Sequence, residues 1–283
     1  MKRFEGSGVE QRMGASPEIK NIRPDDIREA LPPVGGTDIV LQRHGEYVRD
    51  VEDTLVGSLT PEAQERVAVL VRKKIETMLD SDGEDGNVAF LVTGSPTRYH
   101  EGGQRSLETA EIVRSIISSA LTEHGLDSGS LLNNRSAKKS VATIKKVEEP
   151  RFLDERDPYF QFLLEKHGGK MGQDFWTDFE ADTYRDERIA FGSEGPDEID
   201  ARFVTYVNAL KRFAESFHKD NPNSRLVIWN VSHYDTISPF IKRHVDHSDK
   251  DRDLPVEHGG GITLELRSGQ MTTEVGGNHY EVD

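Results

Sequence analysis

Four short apolar runs alternate along this chain with stretches of helical period, and that alternation constrains the fold more than any other feature. The runs lie at 38–42, 88–92 and 225–231, with a candidate short strand at 147–153 that is interrupted by Glu148, Glu149 and Arg151, and residues that can do chemistry follow each of the four. A run this short, bounded by Gly, Pro or charge, reads as a buried strand of a parallel sheet. Between the first two, Thr60 stands as an N-cap with Pro61 at the first helical position. Ala63, Val67, Leu70, Val71 and Ile75 then recur on one helical face. Further helices are expected over 104–121 and 198–218, and a terminal hairpin over 262–266 and 271–275 around Ser268-Gly269. The pattern predicts an α/β fold, a three-layer α/β/α sandwich with a mainly parallel central sheet.

Residues 1–36 are polar and punctuated by Gly and Pro, and read as an extension, free to flex, rather than a domain. Residues 37–283 form the α/β domain. Loops are expected over 81–86 and 122–142. An acidic, aromatic-bearing segment at about 155–197 reads as an irregular, cap-like insertion, with Phe175 and Trp176 as its small core.

Charge narrows the function classes. The chain carries 51 acidic and 36 basic residues, a net −15, which argues against nucleic acid or an anionic membrane as partner. That charge is uneven. Residues 154–200 hold 14 acids against 5 bases, and residues 245–283 hold 9 against 3, so the remainder is neutral and can contain a cationic site. The absence of cysteine excludes disulfides, thiolate metal sites and a thiol nucleophile. No apolar run approaches the ~20 residues of a membrane helix, and the N-terminus lacks the apolar core of a secretion signal, so a cytoplasmic location is expected. His244 and His247 have a metal-ligand spacing without a third ligand and read as surface histidines.

In a fold of this class, ligands bind beyond the carboxyl ends of the strands. Arg43 and His44 follow the first run, and Ser95, then Arg98, His100 and Arg105, follow the second. Asp154-Glu155-Arg156 follows the third, and Ser232-His233 the fourth. Two imidazoles among arginines suit an anionic tetrahedral group, because the guanidinium fork matches phosphate oxygens and stays charged. A neutral His can attack phosphorus, a protonated one can stabilise the transferring group, and a protonated Glu can supply the leaving group's proton. With neither a P-loop nor an Asp-rich magnesium motif, metal-free phosphoryl transfer fits better than a kinase or NTPase.

Five segments carry a resemblance. Leu41-Gln42-Arg43-His44-Gly45-Glu46, Arg105-Ser106-Leu107-Glu108-Thr109-Ala110, Phe152-Leu153-Asp154-Glu155-Arg156, the stretch from Gly192 to Phe203, and Val231-Ser232-His233 occur in the order of the histidine phosphatase superfamily's signatures. The chain thus resembles that superfamily, which includes the cofactor-dependent phosphoglycerate mutases, over 38–266. The resemblance implies a mutase-like catalytic domain over 37–283 with His44 as the phosphorylated nucleophile. Arg43, Arg105 and His233 would hold the phosphoryl oxygens, and Glu155 would be the general acid, with Asp154 and Asp157 as rivals.

Three departures from the family pattern shape the expected substrate. The spacing from Ser95 to Arg105 is longer, so 99–104 is expected as a loop at the pocket mouth, with Ser95, Arg98, His100 and Glu101 as candidate substrate contacts. Tyr234 replaces a small residue and should thicken the pocket wall. Asp157-Pro158-Tyr159-Phe160 departs from the mutase continuation and favours hydrolysis. His258, before Gly259, Gly260 and Gly261, reads as a loop residue rather than part of the site. The expected function is a metal-independent phosphomonoesterase working through a phosphohistidine on a small phosphate ester, without a cofactor and with the oligomeric state open. The acidic rim should disfavour large polyanions. The alternatives are a phosphoglycerate-type mutase and a low-turnover regulatory protein that binds phosphorylated ligands.

Overall fold

The computed structural model describes residues 17–50, 53–80, 87–99, 102–153, 156–247 and 254–283. The expected loop 81–86 and the candidates His100, Glu101, Asp154 and Glu155 lie outside them.

The first, second and fourth apolar runs are strands: β1 (Thr37–Arg43), β2 (Val88–Gly94) and, in the C-terminal half, β4 (Arg225–Ser232). Between β2 and β4 lies a short edge strand, β3 (Ala142–Thr143). After β4 come β5 (Gly261–Arg267), β6 (Gln270–Val275) and β7 (Asn278–Glu281). The sheet order is β3-β2-β4-β1-β5-β6-β7. β3, β2, β4 and β1 run parallel, and β5, β6 and β7 add an antiparallel flank. β4 is the key placement: it lies between β1 and β2, opposing Ser232 to Arg43 and Val231 to Gly94. The carboxyl ends of three strands therefore meet at one edge.

Successive side chains on these strands face opposite layers, as strand geometry requires. Val40, Phe90, Val92 and Trp229 pack on α1 (Pro61–Asp80) and α2 (Arg105–Glu123) through Val67, Val71, Val113 and Ile117. Ile39, Leu41, Leu226 and Ile228 pack on the other side. There α6 (Pro196–Asp220) contributes Phe203 and Leu210, and α7 (Tyr234–His244) contributes Phe240 and Ile241. Three layers result, with the sheet buried on both faces.

The structure changes three expectations. Residues 17–36 are not set apart from the domain: Ile19 and Ile22 lie in one core, Ile27 and Leu31 in the other, and Ile22 bridges to Val256. Their spacing follows neither helical nor strand period because the segment drapes across both faces. The expected strand at 147–153 is instead a pair of 3-10 turns, Lys145–Val147 and Arg151–Leu153, and β3 pairs with β2 in its place. Pro150 lacks the donor a ladder needs, and Glu148 and Glu149 line a cleft rather than a sheet face. The acidic insertion is ordered into α3 (Pro158–Lys166), α4 (Gln173–Glu180) and α5 (Arg185–Phe191). These helices are too short to display a clear period, yet Tyr159, Phe160, Leu163, Phe175, Phe179 and Ile199 form a core of their own.

Two buried ion pairs secure this cap. Lys242 on α7 pairs with Glu180, and Arg188 meets Asp182 through both carboxylate oxygens at 2.7 and 2.8 Å. The Arg188 guanidinium fills the space a side chain at Gly195 would need. Replacing Arg188 by Met leaves Asp182 with only the more exposed Arg185 at 3.6 Å and is expected to cost about 3 kcal/mol. Thermal unfolding followed by circular dichroism would register this as a lowered Tm.

Candidate active site

Arg43, His44, Arg105 and His233 converge at the shared strand edge, on the floor of a cleft of about 1360 Å³. His44 and His233 are 2% and 1% exposed, with ring centroids 5.2 Å apart. β1 delivers Arg43, and His44 N then donates to Ser232 O at 3.1 Å, tying the two strand ends together. Arg105 is the first residue of α2 and His233 the N-cap of α7, so two positive helix ends open on the cleft. Gly45 N donates to Thr109 Oγ1 at 3.2 Å, which links the first-strand signature directly to the α2 signature.

The hydrogen bonds fix the tautomer of His44. Its Nδ1 lies 2.6 Å from Gly45 O, which can only accept, so Nδ1 carries the proton. Its Nε2 lies 3.0 Å from Arg105 Nε, which can only donate, so Nε2 is bare. Burial, followed by the charges of Arg105, His233 and Arg43, pushes the imidazole pKa well below its ordinary value. His44 is thus a neutral base with a defined lone pair.

His233 Nε2 is held by Ser95 Oγ at 3.0 Å and Ser106 Oγ at 3.1 Å. Its Nδ1 faces Glu149 Oε1 at 3.4 Å, and Arg105 Nη2 bonds the same oxygen. Burial raises the Glu149 pKa, but His233 and Arg105 together outweigh it and hold the carboxyl down at about 2. Burial also lowers the His233 pKa, against the opposing charge of Glu149. Two buried nitrogens of the neighbouring arginines, Arg43 Nε and Arg105 Nη1, have no hydrogen-bond partner among the described residues. Buried donors left this way are rare and mark a place where an acceptor binds.

The sequence-predicted residues separate into groups. Arg43, His44, Arg105 and His233 come together, and Arg98 lines the same cleft at its exposed mouth. Ser95 is fully buried behind His233 and orients its ring. Asp157 caps α3 and accepts from Tyr159 N and Ser193 Oγ, which occupies it structurally. Tyr234 and Trp176 stand 6.2 Å apart as one wall, so Trp176 serves the cleft as well as the insertion core. His244 bonds Asp200 at 3.1 Å, a local ion pair.

Four site residues escape sequence reasoning. Glu149 sits in a run read as a strand, and Asp235 lies two residues past His233 on an unanticipated helix whose Pro239 masked the pattern. Tyr47 contacts His44 edge-on at 5.4 Å, and His258 lies 5.8 Å from it, the Gly-rich segment bringing that ring to the site. Burial, then Arg43 and Arg49, lower the His258 pKa to about 4. The expected acidic rim is also corrected: the cap residues that line the cleft include Arg156, Gln173 and Trp176 but, among the described residues of 156–197, no Asp or Glu.

These charges set a pH profile. His44 stays neutral through mildly acidic pH, so the acid limb of kcat/KM is expected well below pH 6.5. Burial, then repulsion from Glu149, raises the Asp235 pKa to about 8. Above that pH its ionisation adds negative charge beside Arg43 and Arg105 and opposes an anionic ligand. A decline in kcat/KM is expected above about pH 8, and Asp235→Asn should move it to higher pH.

No family model and no curated protein matches the chain. Among solved structures, phosphoglycerate mutase from Bacillus anthracis str. Sterne superposes with a TM-score of 0.51 at 18% identity, covering 88% of this chain and 96% of that one. Mycobacterial hydrolase 1 gives 0.49 at 14%, covering 85% and 97%. Alpha-ribazole phosphatase from Shigella flexneri gives 0.46 at 18%, covering 84% and 95%. The fold and the strand-edge cleft define a mixed-sheet α/β protein of the expected three-layer class. More particularly, its fold is the one adopted by the Bacillus anthracis phosphoglycerate mutase, as the sequence resemblance implied.

Proposed function

We propose that this chain is a member of the histidine phosphatase superfamily and hydrolyses phosphate monoesters through a phosphohistidine on His44. The observation that carries the proposal is the bare Nε2 of a neutral His44, held 3.0 Å from Arg105 Nε in a cleft where Arg43 Nε and Arg105 Nη1 are buried donors without acceptors among the described residues. Such an arrangement receives a phosphoryl group: a nucleophile at its centre and fixed positive donors where charge develops.

In the first step Nε2 attacks phosphorus, the bond to the ester oxygen breaks, and that oxygen takes a proton from a carboxylic acid. In the second, water attacks the phosphohistidine and gives its proton to the carboxylate left by the first step, the nitrogen–phosphorus bond breaks, and inorganic phosphate leaves with His44 and the carboxylic acid both restored. Arg43, Arg105 and His233 meet the phosphoryl charge, so the scheme needs no metal ion. Glu155 keeps the acid role implied by the resemblance, supported by its neighbours Leu153 and Arg156, which both line the cleft. Glu149 serves as the resident counter-anion of Arg105 and His233, displaced when the substrate's phosphate arrives.

The test is rapid alkaline quenching of the protein with an aryl ester carrying radiolabelled phosphate. An alkali-stable, acid-labile label mapping to His44 is the expected result. Hydrolysis without any such label overturns the covalent scheme.

A further inference from the structure

The cleft holds more positive charge than a phosphate monoester requires. Six arginines line it against three carboxyls. Of those carboxyls, Glu149 is committed to Arg105 and His233, while burial and Glu149 keep Asp235 neutral below about pH 8. The surplus lies at the mouth, where Arg49, Arg98 and Arg151 are exposed and, among the described residues, have no carboxylate in salt-bridge reach. In a chain of net charge −15, a local arginine cluster of this kind is a focused field rather than a general property of the surface.

The aromatic rings give this cluster a distance from the chemistry. Arg105, whose Nε touches the nucleophile, places its guanidinium carbon 4.2 Å from the Tyr47 ring centroid. Arg49 places its own 5.3 Å from the same ring. The phosphoryl-binding cation and this second cation therefore share one aromatic ring. Tyr99 packs edge-on to Tyr47 at 5.3 Å and also lies against Arg105 at 5.2 Å, extending the aromatic surface outward. Arg98 precedes it and is fixed by donating to Gly102 O at 3.1 Å. Glycine is required where this loop docks: a Cβ at Gly102 would lie 2.2 Å from Val56 O, and one at Gly103 2.2 Å from Ser58 Oγ. The opposite wall, Trp176 and Tyr234, is also aromatic.

We propose that Arg49 and Arg98, on the Tyr47–Tyr99 surface, form a second anion-binding station, and that the substrate is an aromatic phosphate monoester bearing a second anionic group about one ring away from the phosphate. The flat group stacks between the aromatic walls while its distal anion meets Arg49 and Arg98. This rests on the phosphatase reading for its chemistry but makes a separate claim about binding.

The experiment measures kcat/KM for glycerol phosphate, phenyl phosphate and 4-carboxyphenyl phosphate. In parallel, calorimetry measures binding of phenylphosphonate and 4-carboxyphenylphosphonate, which cannot be turned over. The carboxylated aryl compound is expected to win by roughly tenfold in both series, about the worth of one charge-assisted contact. Arg49→Gln and Arg98→Gln should each narrow that ratio to about threefold or less, while Arg72→Gln on the distant α1 surface should leave it unchanged. Equal behaviour of the two aryl compounds, or a ratio indifferent to Arg49 and Arg98, overturns the second station whether or not esters are hydrolysed. Preferential phosphonate binding without hydrolysis of any ester keeps the station and overturns the phosphatase reading.

Discussion

Replacing His44 with alanine is expected to lower kcat/KM for aryl phosphates by roughly 10⁴-fold or more, because the covalent route disappears entirely. Binding should survive. Arg43, Arg105 and His233 remain, so inorganic phosphate or vanadate should still bind the variant, and more tightly if the smaller side chain relieves crowding around Arg105. Arg105→Ala should weaken both phosphate binding and turnover, since that side chain touches the proposed nucleophile and pairs with Glu149, the counter-anion that the phosphate would displace. A His44→Ala protein with near-normal turnover would show that another group attacks phosphorus.

The second large effect separates two carboxyls. Glu155→Gln is expected to reduce kcat about 10²- to 10³-fold for an alkyl ester, whose leaving oxygen needs a proton, and much less for a nitrophenyl ester, which leaves without one. Glu149→Gln should act in the other direction on binding. With the competing carboxylate neutralised, Arg105 and His233 face the ligand unopposed, and inhibition by inorganic phosphate should strengthen by about tenfold. If Glu149→Gln instead abolishes alkyl-ester hydrolysis while Glu155→Gln does not, the proton donor is Glu149.

Much of this site was legible before any coordinates. Arg43, His44 and His233 terminate apolar runs, and a parallel strand delivers whatever follows it to the carboxyl edge of the sheet. Arg105 was legible through Thr109 four residues on, and the structure supplies the reason: Thr109 Oγ1 receives Gly45 N and joins the two motifs. Glu149 and Asp235 were not legible, because their significance comes from tertiary burial beside Arg105 and Arg43 rather than from local pattern. The cap helices were missed for a different reason. Segments such as Gln173–Glu180 complete barely two turns, and their apolar residues are spent on a private core instead of the main sheet. The cap's side of the cleft was hidden by averaging, since among the described residues the acids of the insertion lie outside the cleft lining while Arg156, Phe160 and Trp176 form part of it.

The position of β4 between β1 and β2 also bears on how the molecule comes into being. β1 and β2 share no hydrogen bond, so the two are joined only once the strand near residue 230 has been made, β2 having until then the two-residue β3 as its neighbour. During synthesis the first half of the chain would wait with β1 unpaired and β2 held only by its short edge neighbour, a state that favours chaperone binding over early folding. Nearly 190 residues separate the two histidines, and contacts closed over such a loop form late. The pocket of Arg43, His44, Arg105 and His233 should therefore be completed in one late step, after β4 has emerged.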